Sequence, residues 1–185
     1  MKKGLILIIA VMTVVCISIS ATLAYLFVET NSVKNTFEYG DINITLDESK
    51  GLDLKMIPGN TITKDPAVTV LKDSEACWLF VKIDKSANFD DFMTYEIADG
   101  WTALPGETNV YYREVPATEA DTEFAVLKDN EVLVKATVLK TELNALTEGT
   151  MPTLTFTAYA VQKDNVTSVA DAWELVGTEG VPANS

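Results

Sequence analysis

The stretch "ACWLFVKI", residues 76–83, decides the fold. Extended, it places Cys77, Leu79, Val81 and Ile83 on one face and Trp78 and Phe80 on the other. Side chains of a strand alternate between faces, so a strand that is apolar on both must be covered on both. Residues 76–83 therefore read as a central strand, and the rest of the chain has to supply its two coverings.

Working outward, "TLTFTAYAV" (residues 153–161) alternates Leu154, Phe156, Ala158 and Ala160 with Thr153, Thr155, Thr157 and Tyr159, which predicts a second strand. "FEYGDINITL" (37–46) sets Ile42, Ile44 and Leu46 against Asp41, Asn43 and Thr45, a half-buried strand. In "MIPGNTITKDPAVTVL" (56–71), Pro58-Gly59 marks a turn, and Pro66 falls at a strand start, where a missing N–H is tolerated. "FMTYEIADGWTAL" (92–104) and "VYYREV" (110–115) read as short aromatic strands bounded by Asp99-Gly100 and Pro105-Gly106. "TEFAVLKDNEVLVKATVL" (122–139) reads as a hairpin turning at Asp129-Asn130, with Val132, Val134, Ala136 and Val138 along one face. Helix is expected only in "TELNALTEG" (141–149) and "SVADAWELV" (168–176), and "GTEGVPANS" (177–185) reads as a loose tail. Seven to nine short strands at this spacing predict an all-β antiparallel sandwich with one or two short helices.

The N-terminus has a different character. Lys2 and Lys3 precede an uncharged, apolar run over residues 4–28, and Thr22-Leu23-Ala24 supplies small residues at the −3 and −1 positions of a cut after Ala24. That is the pattern of a secretory signal peptide. The competing reading is an uncleaved anchor, because the run is long enough to span a bilayer. Cleavage would remove two of the 14 basic residues and none of the 27 acidic ones, taking the net charge from −13 to −15. So acidic a surface repels nucleic acid and anionic membranes, which leaves the uncleaved leader as the membrane contact. Cys16 would leave with the leader, and Cys77 alone cannot form an intrachain disulfide.

The chain contains no histidine. That removes the Ser-His-Asp and Cys-His arrangements, the zinc helix with two histidines, and the commonest metal ligand. Cys77 falls in the apolar alternation of the central strand and reads as packing. The acidic pairs Asp47-Glu48, Asp90-Asp91, Asp121 with Glu123, and Asp129 with Glu131 lack the spacing of a calcium loop and read as solvated surface. Trp78, Trp101, Tyr111, Tyr112 and Trp173 have the chemistry to stack on sugars, as in a monomeric surface adhesion module, against a competing role in core or interface packing. No catalytic residue, metal ligand or cofactor site is assigned from these patterns.

Together, "TLAYLFVETNSVKNTFEYGDINITLDE", "IPGNTITKDPAVTV", "SEACWLFVKI" and "LTFTAYAVQ" resemble the TasA/camelysin family of exported Gram-positive proteins. Thr22, Ala24 and Tyr25 match the cleavage junction. Asn35-Thr36-Phe37 with Gly40 match the first strand, and Pro58-Gly59 with Lys64-Asp65-Pro66 match the following turn. The resemblance implies a jelly-roll-like sandwich, processing by a SipW-type signal peptidase, and secretion to the extracellular matrix or cell surface. It further implies head-to-tail assembly with itself or related subunits into a biofilm matrix fibre, the freed N-terminal segment adding as a donor strand to its neighbour. Other relatives carry the label of camelysin, a surface metallo-endopeptidase; in this chain a catalytic zinc would need carboxylate or cysteine ligands.

The expected organisation is a signal peptide (1–24), an arm (25–36), a sandwich (37–162), and a short helix with a tail (163–185). In the arm, Tyr25, Phe27, Val28 and Val33 are the expected donor-strand contacts. Folding back onto the chain's own sheet as its first strand, or staying disordered, is the alternative. Divalent cations, salt or a pH near the sequence pI of about 4.3 are expected to favour assembly by screening the charge.

Overall fold

The computed structural model describes residues 42–49, 55–177 and 181–182. Residues 76–83 lie in β4 (Cys77–Lys85), the middle of a five-stranded antiparallel sheet. On one side β4 pairs with β10 (Leu154–Gln162), on the other with β7 (Val110–Val115). The sheet is completed at its edges by β11 (Val181–Pro182) beside β10 and β6 (Thr102–Ala103) beside β7.

The inward face of this sheet, Cys77, Leu79, Val81, Ile83, Val115, Ala158 and Ala160, packs on a second layer. That layer comprises β1 (Ile44–Asp47), β3 (Ala67–Val70) and β8 (Thr122–Ala125) in order β1-β3-β8, and β2 (Thr61–Thr63), β9 (Leu127–Val134) and β5 (Met93–Ile97) in order β2-β9-β5. The two halves are joined through kinks. Only residues 64–66 separate β2 from β3 and only Val126 separates β8 from β9, and Val126 N–H donates to the Pro66 carbonyl at 2.9 Å. Val68, Val70, Ile62, Val132 and Val134 turn inward from this layer and are buried. The β-sandwich character expected from the alternation is present.

The outer face of β4 is covered by a helix. Trp78 and Phe80 pack with Tyr112, Tyr159 and Val161 under α3 (Val169–Val176), a helix near the C-terminus. Its apolar residues Val169, Ala172, Trp173 and Val176 recur at helical spacing, and Phe80 lies 5.2 Å from the Trp173 ring. Ser168 starts the helix by accepting the Asp171 N–H at 3.1 Å. The two-faced apolarity of residues 76–83 thus reports a sheet on one side and a helix on the other. Phe80 is fully buried, a contribution of roughly 1.5–3 kcal/mol.

Several turns form as expected. Gly59 and Gly100 adopt φ of 81° and 87°, conformations open to glycine and strained for other residues. Other expectations are corrected. Asp129-Asn130 does not close a hairpin, although both residues have positive φ, at 55°. They form a bulge inside β9: Tyr95 pairs with Val132 and Ile97 with Leu127, so the chain continues in the same direction past them. Both Leu127 and Val132 are buried in one core cluster, which holds the two ends of the bulge in a single strand. The strand stops at Val134, and Ala136 is exposed in a turn.

Val181–Pro182, placed by sequence in a loose tail, instead forms β11 against Tyr159 and Ala160. A one-turn helix, α1 (Phe89–Phe92), was not expected; it buries Phe89 beneath Tyr95. Helix α2 (Lys140–Ala145) starts one residue before the expected segment 141–149, covers its first five residues, and buries none of its own.

Candidate functional site

Thr22, Ala24 and Tyr25 at the expected cut, and Phe27, Val28 and Val33 in the arm, lie outside the described residues, as do Asn35, Thr36, Phe37 and Gly40. The remaining motif residues are described. Pro58-Gly59 form a turn, Asn60 N–H donating to the Ile57 carbonyl at 3.0 Å, and Lys64-Asp65-Pro66 form the kink between β2 and β3.

The side chains considered for chemistry are placed for packing and surface roles. Cys77 is fully buried, and burial pushes its thiol up to about 12, so no thiolate forms near neutrality. Trp78 and Trp101 are buried to 9% exposure; Trp78 meets Tyr112 edge-on and Trp173 meets Tyr159 edge-on. Of the acidic residues, Glu48 pairs with Lys64, Asp90 with Lys85, and Asp121 accepts the Lys72 N–H. Among the described residues no group of three or more Cys, Asp and Glu side chains is arranged to hold a metal ion.

What does stand out is an unfinished strand edge. The outer side of β10 is paired by β11 only at Tyr159 and Ala160. Ile83 N–H points to β7, donating to Asn109, and Lys163 N–H points to Ala76. Backbone groups alternate sides along a strand. With the β4–β10 register, this directs the N–H and C=O of Leu154, Phe156 and Ala158 away from β4. Among the described residues nothing pairs with that edge over residues 154–158. The strand carries no charge and no proline from Leu154 to Gln162, the devices that normally guard an edge. By contrast, the other edges are short or charged: β1 ends in Asp47, β5 contains Glu96, β8 contains Glu123, and β2 has three residues.

An apolar groove runs beside this edge. Two depressions of about 340 and 240 Å³ share Leu154 and Thr155. The larger is lined mainly by Ile62, Phe89, Met93 and Val132, with Lys64; the smaller is mixed, lined by Leu46, Pro66 and Phe156 together with Asp47 and Glu48. Lys64 stands at the lip, pairing with Glu48 and lying 5.4 Å over the Phe156 ring. Backbone left unpaired among the described residues, flanked by one largely apolar socket and one that is part acidic, is a geometry that can receive an added strand. The alternation of "TLTFTAYAV" identified β10 as a strand, but not as an edge; only its pattern of uncharged residues hinted at that. No family model, no curated protein and no solved structure matches the chain.

Proposed function

We propose that this protein is an exported structural subunit of an extracellular biofilm-matrix fibre. Residues 25–36 of one copy, freed by a SipW-type signal peptidase, add along the outer edge of β10 in the next. The observation that carries this reading is the uncharged edge at Leu154, Phe156 and Ala158, unpaired among the described residues, with its groove. The resemblance to the TasA/camelysin family and the apolar residues Tyr25, Phe27 and Val28 support it from the sequence side. Such a contact is head-to-tail and does not close, so it propagates as a filament. Burial of two or three arm side chains contributes roughly 1.5–3 kcal/mol each before ordering costs. The net charge of −15 after cleavage opposes association, which makes assembly cation- and acid-dependent.

The test compares residues 25–185, residues 37–185 and the Thr155→Lys variant by electron microscopy, with calcium and at pH 5. Thr155 is exposed, so the added lysine guards the edge without disturbing the core. Filaments are expected from residues 25–185 alone. Equal filaments from all three would refute strand addition at this edge.

A further inference from the structure

We propose that Arg113 is a receptor for a carboxylate group, held in a slot built by Gly100, Trp101 and Phe124. Arg113 is the chain's only arginine, against 27 acidic residues. It sits on β7 opposite Leu79, on the face that looks into the sandwich. Its guanidinium carbon lies 3.8 Å from the Phe124 ring centre and 5.3 Å from that of Trp101. Trp101 is itself fixed, its Nε1–H donating to the Ala125 carbonyl at 2.9 Å. Gly100 completes the slot: a Cβ there would come within 2.8 Å of Arg113 Nη2. Two aromatic walls and a bare backbone floor thus orient one planar fork.

The fork has no carboxylate. Lys64, Lys82, Lys85, Lys128 and Lys163 each pair with an acidic side chain; among the described residues Arg113, like Lys55, Lys72, Lys135 and Lys140, makes no ion pair, and it differs from them in being stacked between two rings. Its Nε is enclosed by protein and, among the described residues, lacks a hydrogen-bond partner. Aromatic faces return only part of the solvation a guanidinium loses on enclosure. With Nε enclosed, a carboxylate can reach only the two Nη groups, and it restores part of the rest there through two parallel charge-assisted hydrogen bonds, a geometry that lysine's ammonium does not offer. Arg113 is only half-buried, so the slot opens to the surface. The ligand class is therefore a carboxylate, carried by a small organic acid or by an acidic side chain of a second copy. This inference is independent of the strand-addition reading, because the slot involves β7 and β8 and not the outer edge of β10.

A lone arginine makes the test direct, since its Nε–H gives a single side-chain resonance. The 15N-labelled full chain, kept soluble in zwitterionic micelles, is titrated with sodium acetate and, separately, with sodium chloride at matched ionic strength. A second arm adds unlabelled protein to the labelled chain without acetate. One exposed-to-partly-buried charge-assisted contact predicts half-saturation at roughly 10–100 mM acetate. Expected is a saturable shift of the Arg113 resonance with acetate and none with chloride, and a matching shift of the Trp101 indole N–H that is lost in Arg113→Lys. Shifts that depend on protein concentration identify the second copy as the carboxylate source; shifts with acetate alone identify a small acid. Equal, non-saturating responses to both salts in the first arm, with no response in the second, would overturn the proposal and leave Arg113 as a packing residue.

Discussion

Replacing Gly100 by alanine probes two features of the structure that can be separated. Gly100 has φ of 87°, and a Cβ placed there meets Arg113 Nη2 at 2.8 Å. The positive φ costs an L-residue roughly 1–2 kcal/mol. To clear the methyl group, the guanidinium must leave its stack on Phe124, now 3.8 Å from the ring centre, at a further loss of about 1 kcal/mol. Gly100→Ala should therefore lower stability by roughly 2–3 kcal/mol in all, read as a fall in the urea midpoint at constant slope. In an Arg113→Ala background the steric part vanishes, and the same substitution should cost only the backbone part, roughly 1–2 kcal/mol. The double-mutant cycle thus predicts a coupling of about 1 kcal/mol. A cost that is identical in both backgrounds would refute the seating of the guanidinium on Gly100.

Three further predictions concern the fold. Phe80→Ala should destabilise by about 3–5 kcal/mol and weaken the near-ultraviolet dichroism of Trp173, because Phe80 is fully buried beneath that ring; an unchanged spectrum would argue against α3 packing on the sheet. Ser168→Ala should cost about 1 kcal/mol in urea denaturation through loss of the acceptor for the Asp171 N–H. Stability should also fall in alkali. Burial raises the Cys77 thiol from 9.0 to about 12, and burial, with Tyr111 and Asp90, raises Tyr95 from 10.0 to about 12. The folded state holds both protons more tightly, so the stabilisation is complete below pH 9 and is lost as pH rises towards 12, by up to about tenfold in the folding equilibrium per pH unit and per group. Cys77→Ala should flatten the urea midpoint between pH 9 and 10, where the tyrosine does not yet contribute.

Much of the fold was legible where a signal is local. Alternation located β4 and β10, Pro66 marked the approach to β3, and Gly59 and Gly100 occupy the turns their dipeptides announced. The spacing of Val169, Ala172, Trp173 and Val176 was readable as a helix. The candidate edge and the Arg113 slot were much less so. Leu154 and Phe156 look like any half-buried strand residues until, among the described residues, β10 proves to be paired on its outer side only at Tyr159 and Ala160, and Arg113 in "VYYREV" gives no sign that Phe124 and Trp101 will enclose it.

By itself the sequence determined that residues 77–83 and 154–161 are extended, which of their faces are apolar, and that no histidine chemistry is open to this chain. Only the tertiary structure decided what covers each face: a second sheet over Leu79 and Val81, and a helix nearly a hundred residues downstream over Trp78 and Phe80. It decided equally that Asp129-Asn130 bulges within β9 and does not reverse the chain. The physical reason is one of range. Side-chain alternation and backbone preference are properties of adjacent residues, whereas an edge, a bulge or an unpaired charge is defined by partners that come together, or fail to, across the whole length of the chain.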